Sequence, residues 1–184
     1  LDFPNLSMVG VDDRAAAYTA VDYLIRQGHR KIAVLGGPVT SYPSLMRRQG
    51  AQQAMEDAGI VFNDKLYGLS NYDFESAYHA MNSLLARRAE FTALFAMSDV
   101  IAFGAIRALV SAGLRVPEDV SVIGFDGITM SRYCVPVMTT IVQPSEQIAL
   151  QSIELLVRQI EHGSPAQTVT LQPELQQGES VRAI

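Results

Sequence analysis

Two periods alternate along this chain. Short uncharged runs rich in β-branched residues are separated by longer stretches in which apolar side chains recur every three or four positions, so strands joined by amphipathic helices are predicted. Leu6 to Val11 reads as a strand running into Asp12-Asp13, a helix N-cap. The helix beyond it carries Ala17, Ala20, Val21, Leu24 and Ile25 as one apolar stripe and ends at Gly28, with His29, Arg30 and Lys31 where the helix dipole favours positive charge. Ile32 to Leu35 is a buried strand broken by Gly36-Gly37-Pro38. A helix to Ala58, a weak strand within 63–69, and a helix carrying Ala77, Met81, Leu84 and Leu85 follow. Phe91 to Ala96 is a strong strand, and Met97-Ser98-Asp99 leads into a helix with Ile101, Ala105, Ala108 and Leu109.

The segment GLRVPEDVSVIGFD, Gly113 to Asp126, organises the rest. Gly113 closes a helix, Pro117 keeps it from resuming, and Val120, Val122 and Ile123 mark a strand covered on both faces. Between residues 6 and 126 the order is βαβαβαβαβ. Helices of this length between strands imply parallel pairing through right-handed crossovers, hence an α/β fold with a doubly wound parallel sheet. From Met138 onward the pattern departs: a strand to Val142, a long helix from Ser145 with Ile148, Ser152, Leu155 and Leu156 on one face, a turn at 162–165, and weak strands at 169–171 and near Leu175. This tail is expected to belong elsewhere.

Composition narrows the class. The 184 residues suffice for one sizeable core, and 48% hydrophobic with 18% charged residues argues against disorder. The net charge of −5 gives no bulk attraction for nucleic acid. Cys134, the single cysteine, excludes an internal disulfide and any cysteine-built metal cluster, in keeping with a reducing cytoplasm. No apolar run reaches the ~18–20 residues of a membrane span. The opening LDFPNLS has neither the basic start nor the apolar stretch of a secretory signal, and reads as mid-protein sequence.

Catalytic chemistry is hard to find. His29, His79 and His162 are scattered without ligand-like spacing, and neither a nucleophile elbow nor a Gly-rich phosphate loop occurs. No metal or cofactor is expected. Polar residues do follow successive strands: Tyr42, Ser44 and Arg47, then Tyr72 and Asp73, then Ser98 and Asp99, then Asp126. Parallel strands deliver these ends to one edge, where open α/β sheets bind ligands. Arg47 can fork-bond hydroxyls, Asp126 can accept from them, and Tyr72 can stack on a ring face, which is chemistry suited to a neutral polyol. Asp73 and Asp99 sit where helix N-caps belong, and capping is the favoured reading there.

The segments VDDRAAAYTAVDYLIRQGHRKIAVLGGP, RRQGAQQAM, SDVIAFGAIRAL, GLRVPEDVSVIGFD and TTIVQP together resemble the effector-binding core of the lactose/galactose repressor family, bacterial transcription regulators with a type I periplasmic-binding-protein-like fold. The resemblance covers nearly the whole chain and implies mainly the C-terminal lobe of a two-lobed sensor. Residues 1–11 would cross over from a missing N-terminal lobe, 12–137 would form the effector-binding lobe, and 138–184 would be crossover and return elements of the N-terminal lobe. By the same resemblance Arg47 and Asp126 match effector-binding residues, Tyr72 an aromatic that packs on the ligand, Ser98 a polar contact, and Gln143 a crossover position near the cleft. Ser41 stands where purine-responsive members carry arginine, which favours a sugar; Tyr42 beside it belongs to the same loop. Gly178 replaces an arginine common near the family's end, leaving the final-strand contact open, and Tyr133-Cys134-Val135 falls where relatives place dimer contacts.

The resemblance implies a cytoplasmic homodimeric regulator, not an enzyme, that binds a small effector such as a sugar and reaches operator DNA only through a headpiece outside this chain. The alternative of the same fold is a periplasmic sugar-binding protein for transport. An enzyme would need a nucleophile or acid/base pair that the strand ends do not offer.

Overall fold

The computed structural model describes residues 5–184. Strands β1 (Met8–Val11), β2 (Ile32–Gly36), β3 (Tyr67–Leu69), β4 (Ala93–Ala96), β5 (Ser121–Asp126), β6 (Thr139–Val142), β7 (Thr168–Leu171) and β8 (Glu174–Gln176) are joined by helices α1 (Asp13–Arg26), α2 (Tyr42–Asp57), α3 (Phe74–Ala86), α4 (Asp99–Ser111) and α5 (Ser145–His162). The chain forms two compact units: Asp13–Val142 with Leu175–Ile184, and a smaller one built from the residues up to Asp12 with Gln143–Glu174.

In the larger unit a six-stranded sheet runs β3-β2-β4-β5-β6-β8, and the registered pairs from β3 to β6 are all parallel. The central strands are covered on both faces. Val34, Leu94, Phe95, Val122, Ile123 and Phe125 are essentially inaccessible to solvent, which is why their sequence reads as continuous apolar runs instead of alternation. Helix α1 packs on α2 and α3 on α4. Right-handed crossovers from β2 leftward to β3 and from β3 rightward to β4 place these pairs on opposite faces. The α1–α2 approach is close: a Cβ at Gly50 would lie 2.0 Å from the backbone oxygen of Arg14, so only glycine fits.

The strand order reverses between β2 and β4. The chain leaves β2 toward one edge and returns past it toward the other, so the crevice at the carboxyl ends of β2 and β4 is the topological switch point of the sheet.

The structure differs from the expected boundary at 138. Strand β6 pairs with β5 through Ile123↔Thr139 to Asp126↔Val142 and belongs to the main sheet. Residues 175–184 also rejoin the larger unit. The amides of Glu179 and Ser180 donate to Val137 O, Val122 N donates to Ser180 O, and Ile184 N donates to Gln27 O. Gly178 has a steric reason of its own: a Cβ would fall 2.4 Å from Val137 O.

The smaller unit contains the parallel β1–β7 pair and α5. Only Leu155 of α5 is buried; Leu150, Ile153, Leu156, Val157 and Ile160 are exposed. Leu155 and Leu156, read on one helix face, thus differ in burial, because an apolar stripe in sequence does not say what covers it.

His29 fastens the tail. Its ring is buried, with Nδ1 2.9 Å from Thr92 Oγ1 and Nε2 3.1 Å from Arg182 O. Burial pushes the imidazole below its usual 6.5, so the unfolded chain takes up a proton more readily than the folded one. The stability this group contributes is whole above pH 6.5 and is lost as pH falls below it. The gap in unfolding free energy between the native chain and His29→Ala, measured by urea denaturation, should therefore narrow between about pH 8 and about pH 5. A constant gap would contradict the linkage.

Candidate functional site

Arg47 lies on the first turns of α2 and points into the switch-point crevice. Its side chain is 7% exposed. Nε donates to Asp13 Oδ1 at 2.7 Å, Nη1 donates to Met97 O at 2.5 Å, and Nη1 stands 3.5 Å from Asp126 Oδ1. The guanidinium carbon sits 3.6 Å from the centroid of the buried Phe125 ring. A buried cation that lost its partners would cost several kcal/mol, about 3–5 in comparable sites, so this set of contacts accounts for its burial. Asp126 is the more open member of the pair, its side chain 25% exposed. The site can present a charge-assisted donor and an acceptor side by side.

Two residues here hold backbone conformations that L-residues with a side chain rarely take: Tyr72 at φ 61° and Asp126 at φ 118°. Each costs on the order of 1–3 kcal/mol, and such strain collects at ligand sites where surrounding contacts over-determine it. The Tyr72 ring packs closely on Gly37, where a Cβ would come 2.1 Å from it. Its Oη is buried without a hydrogen-bond partner among the described residues.

Other expected residues hold their helices. Ser98 is the N-cap of α4, its Oγ accepting from Ile101 N, and Ser41 is the N-cap of α2, its Oγ accepting from Ser44 N. Both hydroxyls keep a proton to donate. Asp73 caps α3 by accepting from Ser76 N, as the sequence suggests. Tyr42 begins α2 and is half exposed. Gln143 follows β6 and belongs to the smaller unit.

Asp99 corrects the sequence reading. Ser98 is the cap, and Asp99, one residue on, is completely buried. Its Oδ1 accepts from Thr140 Oγ1 at 2.6 Å and its Oδ2 from Ile128 N at 2.8 Å. Burial, with a smaller contribution from the charge of Asp126, pushes the carboxyl up to about 6 against the hydrogen bonds from Thr140 and the Ile128 and Gly127 amides.

Sequence reasoning missed Asp13, Phe125, Thr140 and the Met97 carbonyl. Asp13 looked like half of an Asp-Asp cap, and the spacing of the two offers no signal that separates a cap from an ion-pair partner. Phe125 and Thr140 are ordinary strand residues until β5 and β6 are paired.

Outside this edge there is little chemistry. Among the described residues no group of three His, Cys, Asp or Glu could hold a metal ion, and no helix is long and apolar enough to cross a membrane. The Cys134 thiol donates to Ser131 O and Pro136 O, and burial raises it, so it is a poor nucleophile. A surface cavity of about 590 Å³ opens beside Gln52, Glu56 and Phe62 at the carboxyl end of α2, away from Arg47 and without convergent charge.

With this geometry in hand, comparison with known proteins is specific. A family model described as periplasmic binding protein-like domain matches residues 21–181. The chain belongs to that family, in the form carried by LacI-type transcriptional regulators. The HTH-type transcriptional repressor PurR of Histophilus somni is 35% identical over 181 residues, 98% of this chain and 54% of that protein. The transcriptional regulator CelR, solved as a cellobiose complex, superposes with a TM-score of 0.93 at 32% identity, over 98% of this chain and 55% of that one. A LacI family regulator from Enterococcus faecium with bound ribose gives 0.88 at 28%, over 97% and 66%. The chain spans about half the length of the curated relatives it matches.

The slot that holds Asp99 is tight: a Cβ at Gly124 would lie 2.2 Å from its Oδ1. Gly124→Ala should lower the unfolding free energy by about 1–3 kcal/mol, the usual cost of overpacking a core, as read by thermal melting. The folded Asp99 carboxyl is raised above its usual 3.8, so the folded state holds this proton more tightly than the unfolded state. Its contribution is present below 3.8 and is lost as pH rises through about 6. In Asp99→Asn the loss of stability between those values should be smaller than in the native chain; an identical pH profile would remove Asp99 as its cause.

Proposed function

We propose that this chain is the effector-sensing part of a bacterial transcription regulator, and that it holds a neutral sugar between Arg47 and Asp126. The observation that carries the reading is the buried Arg47 guanidinium at the switch point, gripped by Asp13 and Met97 O and standing beside the more open Asp126 carboxylate. Such a pair donates to and accepts from vicinal hydroxyls. Tyr72, with its buried and unpartnered Oη, supplies a ring face and a further polar atom. The hydroxyls of Ser98 and Ser41 donate from the helix N-termini they cap, and Tyr42 and Gln143 complete the ligand set.

Similar regulators solved with cellobiose and with ribose support a sugar over a purine, as does Ser41. The relatives being transcription regulators supports regulation over periplasmic transport and over an enzyme. In the parent, an N-terminal lobe and DNA-binding headpiece would precede this chain. The exposed apolar face of α5 supports a further lobe packing there, since a helix face of five large apolar residues is normally covered. Effector binding would then shift a cytoplasmic dimer between two states of different operator affinity.

In the full-length protein, a thermal-shift screen of neutral mono- and disaccharides should find a sugar that raises Tm. Arg47→Ala and Asp126→Ala should each weaken its affinity by about tenfold or more, the worth of a hydrogen bond to a charged group. Calorimetry showing unchanged affinity in both variants would sink the assignment.

Dimer formation would use the face around Val135, which is 94% exposed beside Tyr133, Met130 and Val110. Val135→Asp should shift the full-length protein from dimer to monomer in sedimentation, with sugar affinity intact. A dimer of native strength would move the interface elsewhere.

A further inference from the structure

The geometry points to Asp99 as the positioning residue for the Arg47–Asp126 pair: its buried carboxylate ties down the turn after β5 so that Asp126 stands beside the guanidinium. This inference rests on the reading of Arg47 and Asp126 as the groups that hold effector, and it adds a residue that need not touch the effector at all.

The turn is intrinsically unfavourable. Asp126 and Gly127 follow each other at φ 118° and 71°, and a side chain at Gly127 would run into Val142, with Cβ 2.7 Å from its Cα. A strained pair of this kind persists only where its surroundings fix both ends. The near end is fixed by pairing of β5 with β6, including Asp126↔Val142. At the far end Ile128 N donates to Asp99 Oδ2 at 2.8 Å. Asp99 is in turn anchored by its place in the first turn of α4 and by Thr140 Oγ1 at 2.6 Å, and Gly124 leaves the space it occupies. One carboxylate thus joins the exit of β4, the exit of β5 and the middle of β6.

Helix capping does not explain the residue, because Ser98 does that work. Hydrogen bonding alone does not require an acid either. An asparagine could accept from Ile128 N through its oxygen and donate to Thr140 Oγ1 through its nitrogen. What the acid adds is a second negative charge behind Asp126, which favours the Asp126 carboxylate on the Arg47 side. The ionisable groups around Asp99 are Asp126 at the end of β5, Arg47 of α2 beyond it, and the Cys134 thiol, itself raised in part by the charge of Asp99.

The test uses the 184-residue chain and NMR and needs no effector. In Asp99→Ala the Ile128 amide should exchange with solvent more than about tenfold faster, as for loss of a hydrogen bond to a charged group, and the HN–Hα coupling of Asp126 should leave its native value. In Asp99→Asn the same amide should stay near native protection. The Asp126 carboxyl carbon, which in the native chain should show an inflection near pH 6 as Asp99 ionises, should lose that inflection in Asp99→Asn. Unchanged Ile128 exchange in Asp99→Ala overturns the proposal. If Asp99→Ala does not fold, an Asp126 titration in Asp99→Asn identical to the native one overturns it. Failure of the effector reading would instead appear only in sugar titrations of the full-length protein, so the two outcomes are distinguishable.

Discussion

A single buried guanidinium holds the carboxyl edge of the main sheet together. Arg47 reaches from α2 to Asp13 at the start of α1, to the Met97 carbonyl past β4 and to Asp126 at the end of β5, with its flat face on Phe125. Four chain segments are thus joined through one planar fork. Removing the ion from water costs several kcal/mol, so the arrangement depends on the partners that Nε, Nη1 and the ring-facing plane find. Arginine suits this position where lysine would not, since a point charge cannot serve a carboxylate, a carbonyl and an aromatic face at once.

The same contacts explain why strain can be stored there. Tyr72 and Asp126 keep positive φ at the mouth of the crevice while the strands beneath them are among the most completely buried parts of the molecule. Phe95, Phe125, Ile123 and Leu94 give the sheet a rigid base, and rigidity is what lets a few kcal/mol of local cost persist without the loops relaxing. Asp99 extends this principle below the surface. A carboxyl held near 6 by burial is itself unfavourable when ionised at neutral pH, and it is tolerated inside a slot that the missing side chain of Gly124 creates.

Much of this was legible in sequence because it follows from local rules. Period and composition located β2, β4 and β5 and the inner faces of α1 to α4, and parallel pairing put Arg47, Tyr72, Ser98 and Asp126 at one edge. The failures share a cause. Serine and aspartate at a helix start look alike whether they cap, pair with a cation or support a turn, so Asp99 passed as a cap beside Ser98, which is one, and Asp13 passed as a cap too. The other failures involve contacts between residues far apart in sequence. Nothing local announces that Thr140 faces Asp99, that residues 175–184 return to the main sheet, or that the apolar face of α5 is left open.

Asp13 carries one more consequence. It is the first residue of the larger unit, directly after the chain leaves the smaller one, and β6, whose last residue Val142 pairs with Asp126, ends where the chain leaves again. Both partners of Arg47 that bear charge are thus tied to segments through which the chain passes between its units. On the proposed reading, a sugar hydroxyl that took a hydrogen bond from Arg47, or gave one to Asp126, would compete within a network that includes Asp13 and the paired end of β6. Differential binding energy can shift a conformational equilibrium only through contacts that differ between the states. On the proposed reading, a guanidinium shared between sugar and Asp13 would supply such a contact without any need for a long chain of intermediaries.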